Sequence, residues 1–250
     1  MCAIFGIFGE YNQSIVHKMS KCQLSRGPDK TSFYFNKKKK VSFGMNRLAV
    51  IDKKNGKQPM LSHDKKILTI FNGTIYNFKE IKKFLINKSI EFNTNSDTEL
   101  LSNSYAYWGE KCFNYFDGMW AAAFYNIEKN TLSLSRDYLG QKPLYYLKNK
   151  KIITFSSQIE GIFQYKKNLK LSKKNLDLYY RFSHLPAPYT IYKDIYKVET
   201  GQTINIGEKI KKKIYWDLSN GPDHNIFFKK ISKNNIKKKF DKNFKNYLIS

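Results

Sequence analysis

Cys2 has the most direct route to chemistry in this chain, because it stands immediately after the initiator methionine. Methionine is removed when a small residue follows it, and removal of Met1 would leave Cys2 with both a thiol and a free α-amine. An α-amine titrates near ~7.7–8.0, so it can act as a base at neutral pH beside its own nucleophile. A histidine partner is then not required. The alternative is a small buried apolar residue on a first strand.

Asn72 and Gly73 form a second candidate group. They lie between an apolar run that ends at Phe71 and the pair Ile75-Tyr76, and this placement predicts a tight hairpin turn. An asparagine amide and a glycine N–H can both donate hydrogen bonds to the oxyanion that develops during acyl transfer. The turn and the oxyanion-binding role are compatible with each other.

Three charged residues complete the set. Arg47 interrupts an apolar run, where it could be a solvated edge residue or a bidentate clamp for a carboxylate. Asp97 lies in the first turn of a predicted helix, where it could favour the helix dipole or bind an ammonium group. Arg26 begins an Arg-Gly-Pro-Asp segment that is, by itself, typical of a surface turn. Combined with the thiol and the amide, these charges could bind an α-amino acid and expose its side-chain amide to attack.

The elements that must position these residues follow from the hydrophobic pattern. Strands are predicted at residues 2–9, 41–51, 66–71, 119–126, 131–136, 144–147 and 151–155. A first helix is predicted from four apolar residues on one face, Phe78, Ile81, Phe84 and Leu85. Ser96 followed by Glu99 has capping-box spacing at the start of a second helix. Several strands are apolar on both faces, which favours an α+β fold of stacked, mostly antiparallel sheets.

The last third of the chain has a weaker strand pattern. Two prolines make residues 183–190 extended or irregular. A final helix is predicted at 235–248 from apolar residues spaced by four, and an Asn-Gly-Pro breaker predicts a boundary at 215–225. The pattern therefore predicts one domain over residues 2–216 and a separate segment over 217–250, whose helix has an apolar face without a partner in this sequence.

Composition narrows the function classes. The chain has 250 residues, 41% hydrophobic and 16% aromatic, which is a globular composition. Its net charge of +25 comes from 45 basic residues, of which only four are arginines. Specific nucleic-acid readers favour arginine, so the lysine excess indicates coding bias and we expect no nucleic-acid partner. The longest apolar stretch, 119–125, is too short to cross a bilayer, and three cysteines without metal-ligand spacing suit reduced thiols in the cytoplasm.

The order of the motifs resembles the class II, N-terminal-nucleophile glutamine amidotransferases, and within them the glutamine-hydrolysing asparagine synthetases. The resemblance covers nearly the whole chain. The matching segments are MCAIFGIFG (1–9), RGPD (26–29), NRLAVID (46–52), KQPM (57–60), FNGTIYN (71–77), SDTELL (96–101), FDGMWAAAFYN (116–126), SRDYLGQKPLYY (135–146) and LPAPYTIYKDIYKVETGQ (185–202). The last two favour the asparagine-synthetase branch over amidotransferases that make glucosamine phosphate or phosphoribosylamine.

The resemblance implies a role for each candidate residue. Cys2 would be the nucleophile, and Asn72 and Gly73 would form the oxyanion hole. Arg47 would bind the α-carboxylate of glutamine, and Asp97 its α-ammonium. The pocket would also be lined by Leu48, Ala49, Val50, Ile51 and Thr74, with Arg26 in support. The implied fold is a four-layer αββα sandwich of the N-terminal-nucleophile hydrolase type.

Two substitutions and one missing segment depart from the family pattern. Thr74 stands where the family usually has Glu, and Ser25 where it usually has His, so side-chain contacts around the pocket are expected to differ. The family's SGGxDS-type loop, which binds the ATP that activates aspartate with Mg²⁺, does not occur in this sequence. The resemblance therefore implies that residues 217–250 are a linker and the first helix of an asparagine synthetase domain that lies outside this sequence. We therefore expect this chain to bind no cofactor or metal itself. It would act as the glutaminase half of an asparagine synthetase and pass ammonia to a synthetase domain or polypeptide.

Several alternatives remain open at this point. The chain could be a fragment, a truncated copy or one half of a split enzyme, and a homodimer is possible. The acceptor could be another molecule, such as a sugar acid of a surface polysaccharide, since asparagine-synthetase-like proteins also amidate such acids. The chain could also be a non-catalytic remnant that serves as an interaction module.

Overall fold

A computed structural model describes residues 1–217, 219, 237, 238, 240, 241 and 244. The strands of this part are β1 (Ala3–Phe8), β2 (Lys30–Asn36), β3 (Val41–Arg47), β4 (Met60–Leu61), β5 (Ile67–Ile75), β6 (Gly118–Asn126), β7 (Thr131–Arg136), β8 (Tyr145–Asn149), β9 (Ile152–Ser156), β10 (Ile195–Lys197), β11 (Gln202–Ile206) and β12 (Ile210–Ile214). The helices are α1 (Gln13–Lys21), α2 (Phe78–Ile86), α3 (Asp97–Trp108), α4 (Ile159–Tyr165) and α5 (Lys173–Phe182).

The strands form two six-stranded sheets. Within each sheet, all neighbouring strands pair in the antiparallel direction. The first sheet has the order β10-β8-β9-β1-β3-β2, and the second has the order β12-β11-β7-β6-β5-β4. Helices α1 and α4 pack on the first sheet, and α2 and α3 pack on the second. The predicted α+β, four-layer αββα sandwich is therefore confirmed.

Strand β1 shows why the sheets stack. Its six residues are all buried, because alternate side chains enter different layers. Ile4 and Phe8 join the core between the sheets, whereas Phe5 and Ile7 pack against α1. In the inter-sheet core, Tyr125 of β6 contacts the Phe43 ring of β3 edge-on, with centroids 5.7 Å apart. Strands that are buried on both faces hold the two sheets in a fixed alignment.

The predicted hairpin at Asn72-Gly73 is wrong. Strand β5 runs straight through these residues, which pair with Ala121 and Trp120 of β6. If the chain turned back after Phe71, the last four residues of β5 would lose their pairing with β6. Gly73 is needed for a different reason: a Cβ atom there would lie 2.0 Å from the carbonyl oxygen of Met119. Close approach of two strands selects the glycine.

The start of α3 is predicted correctly, but its capping box is not formed. The Ser96 side chain accepts a hydrogen bond from the N–H of Thr98, as an N-cap should. Glu99, however, accepts from the N–H groups of Asn93 and Thr94 at 2.8 and 2.7 Å and does not reach back to Ser96. The preceding loop supplies more donors to this carboxylate than a capping box would.

Other predictions have mixed outcomes. The run at 41–51 is too long for one strand, since β3 ends at Arg47. On α2, Phe84 is 43% exposed and stacks on Trp108 at 5.2 Å instead of joining the buried face. Most of the predicted boundary at 215–225 and of the final helix at 235–248 lies outside the described residues. None of the helices in the described part is long and apolar enough to span a membrane.

Candidate active site

A pocket of about 260 Å³ opens where the two sheets meet at one end. The first sheet contributes the start of β1 and the end of β3, and the second contributes β5 and the first turn of α3. Nine of the predicted site residues line it: Cys2, Arg47, Leu48, Val50, Ile51, Asn72, Gly73, Thr74 and Asp97. Residues far apart in sequence are thus brought together by the sheet alignment.

Cys2 lies at the entrance to β1, at the margin of the inter-sheet core. Its Sγ accepts a hydrogen bond from the N–H of Leu48 at 3.4 Å, and the Arg26 Nε donates to the Cys2 carbonyl oxygen at 3.2 Å. Burial raises the pKa of the Cys2 thiol. The Leu48 N–H, the N-terminal charge and the guanidinium groups of Arg47 and Arg26 oppose that rise. These groups stabilise a thiolate once it forms.

Met1 is present in the structure and also lines the pocket. The Cys2 nitrogen is therefore a peptide nitrogen here, without the free amine that the nucleophile hypothesis requires. The Met1 side chain contributes to the pocket wall, and its Sδ lies 3.4 Å from the Nζ of Lys142. Removal of Met1 would both free the amine and enlarge the pocket.

Asn72 presents a donor without a partner. Its side chain is 2% exposed, and its Nδ2 is buried without a hydrogen-bond acceptor among the described residues. Leaving a buried amide N–H unpaired costs about 1–3 kcal/mol, so such groups are uncommon in folded proteins. The Asn72 side chain lines the same pocket as Cys2. An amide donor held in this way can bind an oxygen that carries negative charge.

Arg47 is buried at the end of β3 with much of its guanidinium already engaged. Nη1 donates to the carbonyl oxygen of Lys53 at 3.0 Å, and Nη2 donates to those of Ile51 and Asp52, both at 2.9 Å. A guanidinium has five N–H donors, so two remain for a ligand. A Cβ on Gly56 would lie 2.6 Å from Nη2, so glycine lets this loop close over the arginine.

The loop that follows β3, residues 48–56, is tied down at several points. The N–H of Ala49 donates to the Asp29 carboxylate at 2.7 Å, so Ala49, unlike its neighbours, does not line the pocket. The Asp52 carboxylate accepts from Asn95 and Asn55, and these N–H groups lower its pKa. The Arg-Gly-Pro-Asp segment therefore supports the pocket from behind, through Arg26 and Asp29.

Asp97 lies opposite, at the first position of α3. It is 5% exposed, and its Oδ2 accepts a hydrogen bond from the N–H of Ile75 at 2.9 Å. Burial raises the pKa of Asp97 to about 6, although the N–H groups of Ile75 and Asp97 itself act in the opposite direction. A buried carboxylate without a cation is costly, so this position favours a ligand with a positive charge.

Sequence reasoning missed several residues that line the pocket. They are Gly56, Gln58, Phe71, Ser96, Thr98, Met119 and Lys142. Gln58 accepts from the N–H of Phe71 at 2.7 Å and so fixes β5 next to Asn72. Most of these residues fall within the motifs quoted above, which was the available signal. Thr74 lines the pocket, and Ser25 does not. In the described part of the chain, no three His, Cys, Asp or Glu side chains are placed to hold a metal ion.

Comparisons with known proteins agree with this geometry. The sequence model of a family described as "Glutamine amidotransferase domain" matches residues 1–216. A putative glutamine-hydrolysing asparagine synthetase of Methanocaldococcus jannaschii is 34% identical over 92% of this chain and 48% of its own length. Asparagine synthetase 1 of Bacillus subtilis is 31% identical over 95% of this chain and 36% of its own length. The chain thus spans half the length or less of these two relatives.

The fold also matches solved structures. An allosteric regulatory enzyme of purine biosynthesis superposes with a TM-score of 0.64 over 86% of this chain and 49% of that chain, at 17% identity. At that identity the likeness shows the fold alone.

Proposed function

The chain belongs to the glutamine amidotransferase domain family, and on that premise we propose that its pocket hydrolyses glutamine with Cys2 as the nucleophile. One observation carries the proposal most directly. The Cys2 sulfur and the unpartnered Asn72 amide line one pocket, whose walls also hold a buried arginine and a buried carboxylate. A thiol and an oxyanion donor are needed for attack, and the two charges match the ends of an α-amino acid.

Substrate binding uses the charges on the two walls. The α-carboxylate of glutamine binds the free N–H groups of Arg47, and the α-ammonium binds Asp97. The loop residues Leu48, Val50 and Ile51, together with Thr74, surround the backbone of the amino acid. This orientation directs the side-chain amide of glutamine towards Cys2.

The chemistry begins after Met1 is removed. The free α-amine of Cys2 takes the proton of the thiol, and the sulfur attacks the amide carbon, so that a C–S bond forms and the carbonyl oxygen becomes an oxyanion. Asn72 Nδ2 and the Gly73 N–H donate to this oxygen. The C–N bond then breaks, the α-ammonium returns a proton to the leaving nitrogen, and ammonia departs. Water attacks the resulting γ-glutamyl thioester, which releases glutamate and regenerates the thiol.

The ammonia passes to an acceptor site elsewhere. We propose that this is a synthetase domain or polypeptide that uses ATP and Mg²⁺ to amidate aspartate, because the relatives are named asparagine synthetases and this chain matches only 48% and 36% of their lengths. The acceptor pocket would belong to that portion. A sugar-acid acceptor is the second possibility, and the two are separated by which carboxylate becomes an amide when both portions are combined.

Mass spectrometry with 6-diazo-5-oxonorleucine, an electrophilic glutamine analogue, tests the nucleophile. We expect one adduct per chain on Cys2, in molecules that lack Met1, and protection by excess glutamine. Cys22 serves as an internal control, since it is an exposed thiol outside the pocket. An adduct on any other residue, or none on processed chains, would overturn the assignment of Cys2.

Glutamate release separates the enzyme from a non-catalytic interaction module. The chain is assayed alone and then with a synthetase polypeptide encoded downstream. Activity in either assay supports the glutaminase, and its absence in both, with Met1 removed, supports the module.

A further inference from the structure

The segment that follows β7, residues 137–143, is built around two charged side chains. The Asp137 carboxylate accepts hydrogen bonds from the N–H groups of Leu139, Gln141 and Lys142, and from that of Trp120 in β6, at 2.9 to 3.1 Å. We call residues 137–143 the Lys142 loop. Its carboxylate is saturated by backbone donors, so it has no lone pair left for a strong bond to a side chain.

The Arg136 guanidinium holds the same loop from the other side. It donates to the carbonyl oxygens of Lys142 at 2.8 Å, Gly140 at 2.5 Å and Val198 at 2.9 Å. Burial lowers the pKa of Arg136, a change that the charge of the neighbouring Asp137 opposes. Hydrogen bonds from both sides therefore restrain the backbone of this loop.

Lys142 is the residue that this loop delivers to the pocket. It is 8% exposed, and it is the one member of residues 137–143 that lines the pocket with Cys2. Its Nζ lies 3.4 Å from Met1 Sδ, so the ammonium reaches the first residue of the chain. Neither of the two salt bridges found in the described part of the chain involves Lys142. Among the described residues, the acceptor within hydrogen-bond distance of this ammonium is a thioether, a weak acceptor for a charge in a buried residue.

The other charges around Cys2 are also mostly positive. Arg26 donates to the Cys2 carbonyl oxygen, and its buried Nη2 has no acceptor among the residues that the structure describes. Arg47 lies at the end of β3, and the single buried acid on the pocket wall is Asp97 of α3. Burial lowers the pKa of Lys142, a change that Asp137 and Cys2 oppose and Arg26 reinforces. One cationic side chain therefore contacts the Cys2 backbone, and two others lie on the wall of the pocket that holds the nucleophile.

We propose that Lys142 is a positioning residue for Cys2, whose ammonium favours the loss of the proton that the Cys2 thiol and α-amine share. This inference rests on the proposed function, because it requires that Met1 be removed. A positive charge nearby disfavours a second ammonium and favours a thiolate. Both effects act in the same direction: the free amine and the thiolate become available at lower pH than in an isolated N-terminal cysteine.

The test measures the pH dependence of Cys2 alkylation by iodoacetamide in processed chains, with peptide mapping to assign the label. For Lys142→Met, we expect the midpoint to rise by about 0.5 to 1 pH unit, and the rate at pH 7 to fall about threefold to tenfold. The difference should vanish above the new midpoint. Lys142→Arg keeps the charge and should stay close to wild type. Lys148→Met removes an exposed lysine from β8 and should change nothing.

The same samples decide between structural and electrostatic roles. A merely structural Lys142 would lower the rate at all pH values in both variants and would alter the alkylation of Cys22 through unfolding. Lys142→Gln replaces the methionine variant if that protein does not fold. An unshifted midpoint in a folded neutral variant overturns the proposal.

Alkylation needs no glutamine, so the two proposals can fail separately. A shifted midpoint in a protein that releases no glutamate would leave Lys142 in its role and remove the glutaminase. Glutamate release with an unshifted midpoint would support the glutaminase and remove the proposed role of Lys142.

Discussion

The backbone of Leu48 meets the Cys2 sulfur with both of its polar groups: its N–H donates to Sγ at 3.4 Å, and the thiol donates to its carbonyl oxygen at 3.6 Å. Leu48 is the first residue after β3 ends. Because β3 ends at Arg47, both backbone polar groups of Leu48 are left to bond with the nucleophile. Loss of the thiol proton removes the second bond and strengthens the first, because an anion is the better acceptor.

The first prediction concerns Cys2 itself. Cys2→Ala should lower glutamate release by at least about 10³-fold, because no other thiol lines the pocket. Its thermal unfolding should stay near that of wild type, since Cys2 is only partly buried at the margin of the core. Cys22→Ala is the matched control and should keep full activity. Activity of Cys2→Ala within about tenfold of wild type would exclude the nucleophilic role.

The second prediction uses the unpartnered amide of Asn72. Asn72→Ala should lower kcat by about 10²- to 10³-fold with little change in KM, as expected for an oxyanion donor. The free energy of unfolding should hardly change, because the Nδ2 group has no hydrogen-bond partner in the part of the chain that the structure describes.

Asn103 provides the contrast, since it is buried and its amide is bonded to the backbone of His63 and Glu91. Asn103→Ala should lower the free energy of unfolding by about 1–3 kcal/mol and leave kcat unchanged. Steady-state kinetics and denaturant unfolding of both variants test this. If Asn72→Ala loses stability and keeps its kcat, the amide is structural.

The third prediction follows from the raised pKa of Asp97. Its carboxyl has a pKa of about 6 in the fold against an ordinary value of 3.8, so the ionised group destabilises the fold by about 3 kcal/mol above pH 6. This cost appears as pH rises from 3.8 through 6. Asp97→Asn should therefore melt at a higher temperature than wild type at pH 7.5, and the difference should shrink at pH 5.

Glutamine binding should respond in the opposite way. Without the carboxylate, the α-ammonium loses its partner, and KM should rise at least about 100-fold. Asp177→Asn, an exposed change on α5, is the control for both measurements. If Asp97→Asn is more stable and its KM for glutamine is unchanged, Asp97 does not bind the substrate.

The fourth prediction tests the close approach of β5 and β6. In Gly73→Ala, the added Cβ would meet the Met119 carbonyl oxygen at 2.0 Å and Trp120 Cα at 2.8 Å, so the strands must separate. We expect a loss of about 2–4 kcal/mol in the free energy of unfolding, together with loss of activity as the Gly73 N–H moves. Gly207→Ala, where the nearest atom is a Thr131 methyl carbon at 3.1 Å, should have a much smaller effect. Equal unfolding midpoints for the two variants would contradict this account.

The sequence predicted the layers and the site better than it predicted the turns. Strands buried on both faces appear in the sequence as continuous apolar runs. The predicted bounds of β6 and β7 therefore agree with the observed bounds to within one residue. Asn72-Gly73 was misplaced because a dipeptide that favours a hairpin can also be selected by a close strand neighbour. The pairing of β5 with β6 decides between the two, and that contact is not local.

Two features of the site could not be read from residue types. Lys142 is one of 41 lysines, and only the loop around Asp137 distinguishes it by burying it. The engagement of Arg47 by the carbonyl oxygens of Ile51 to Lys53 depends on how a loop folds back, which no spacing encodes. The sequence identifies candidate charged residues. The fold shows which of their hydrogen-bonding groups are already engaged within the protein.

The pocket straddles the two sheets: its thiol is on the residue just before β1 of one, and its amide donor is on β5 of the other. The distance across which attack occurs is therefore set by side chains that lie between the sheets, far from any substrate. A methyl group added or removed in that layer alters the gap between nucleophile and oxyanion donor before it unfolds the protein. The turnover rate would then report small changes in the packing of the core. Substitutions of the side chains between the sheets are therefore constrained by catalysis as well as by stability.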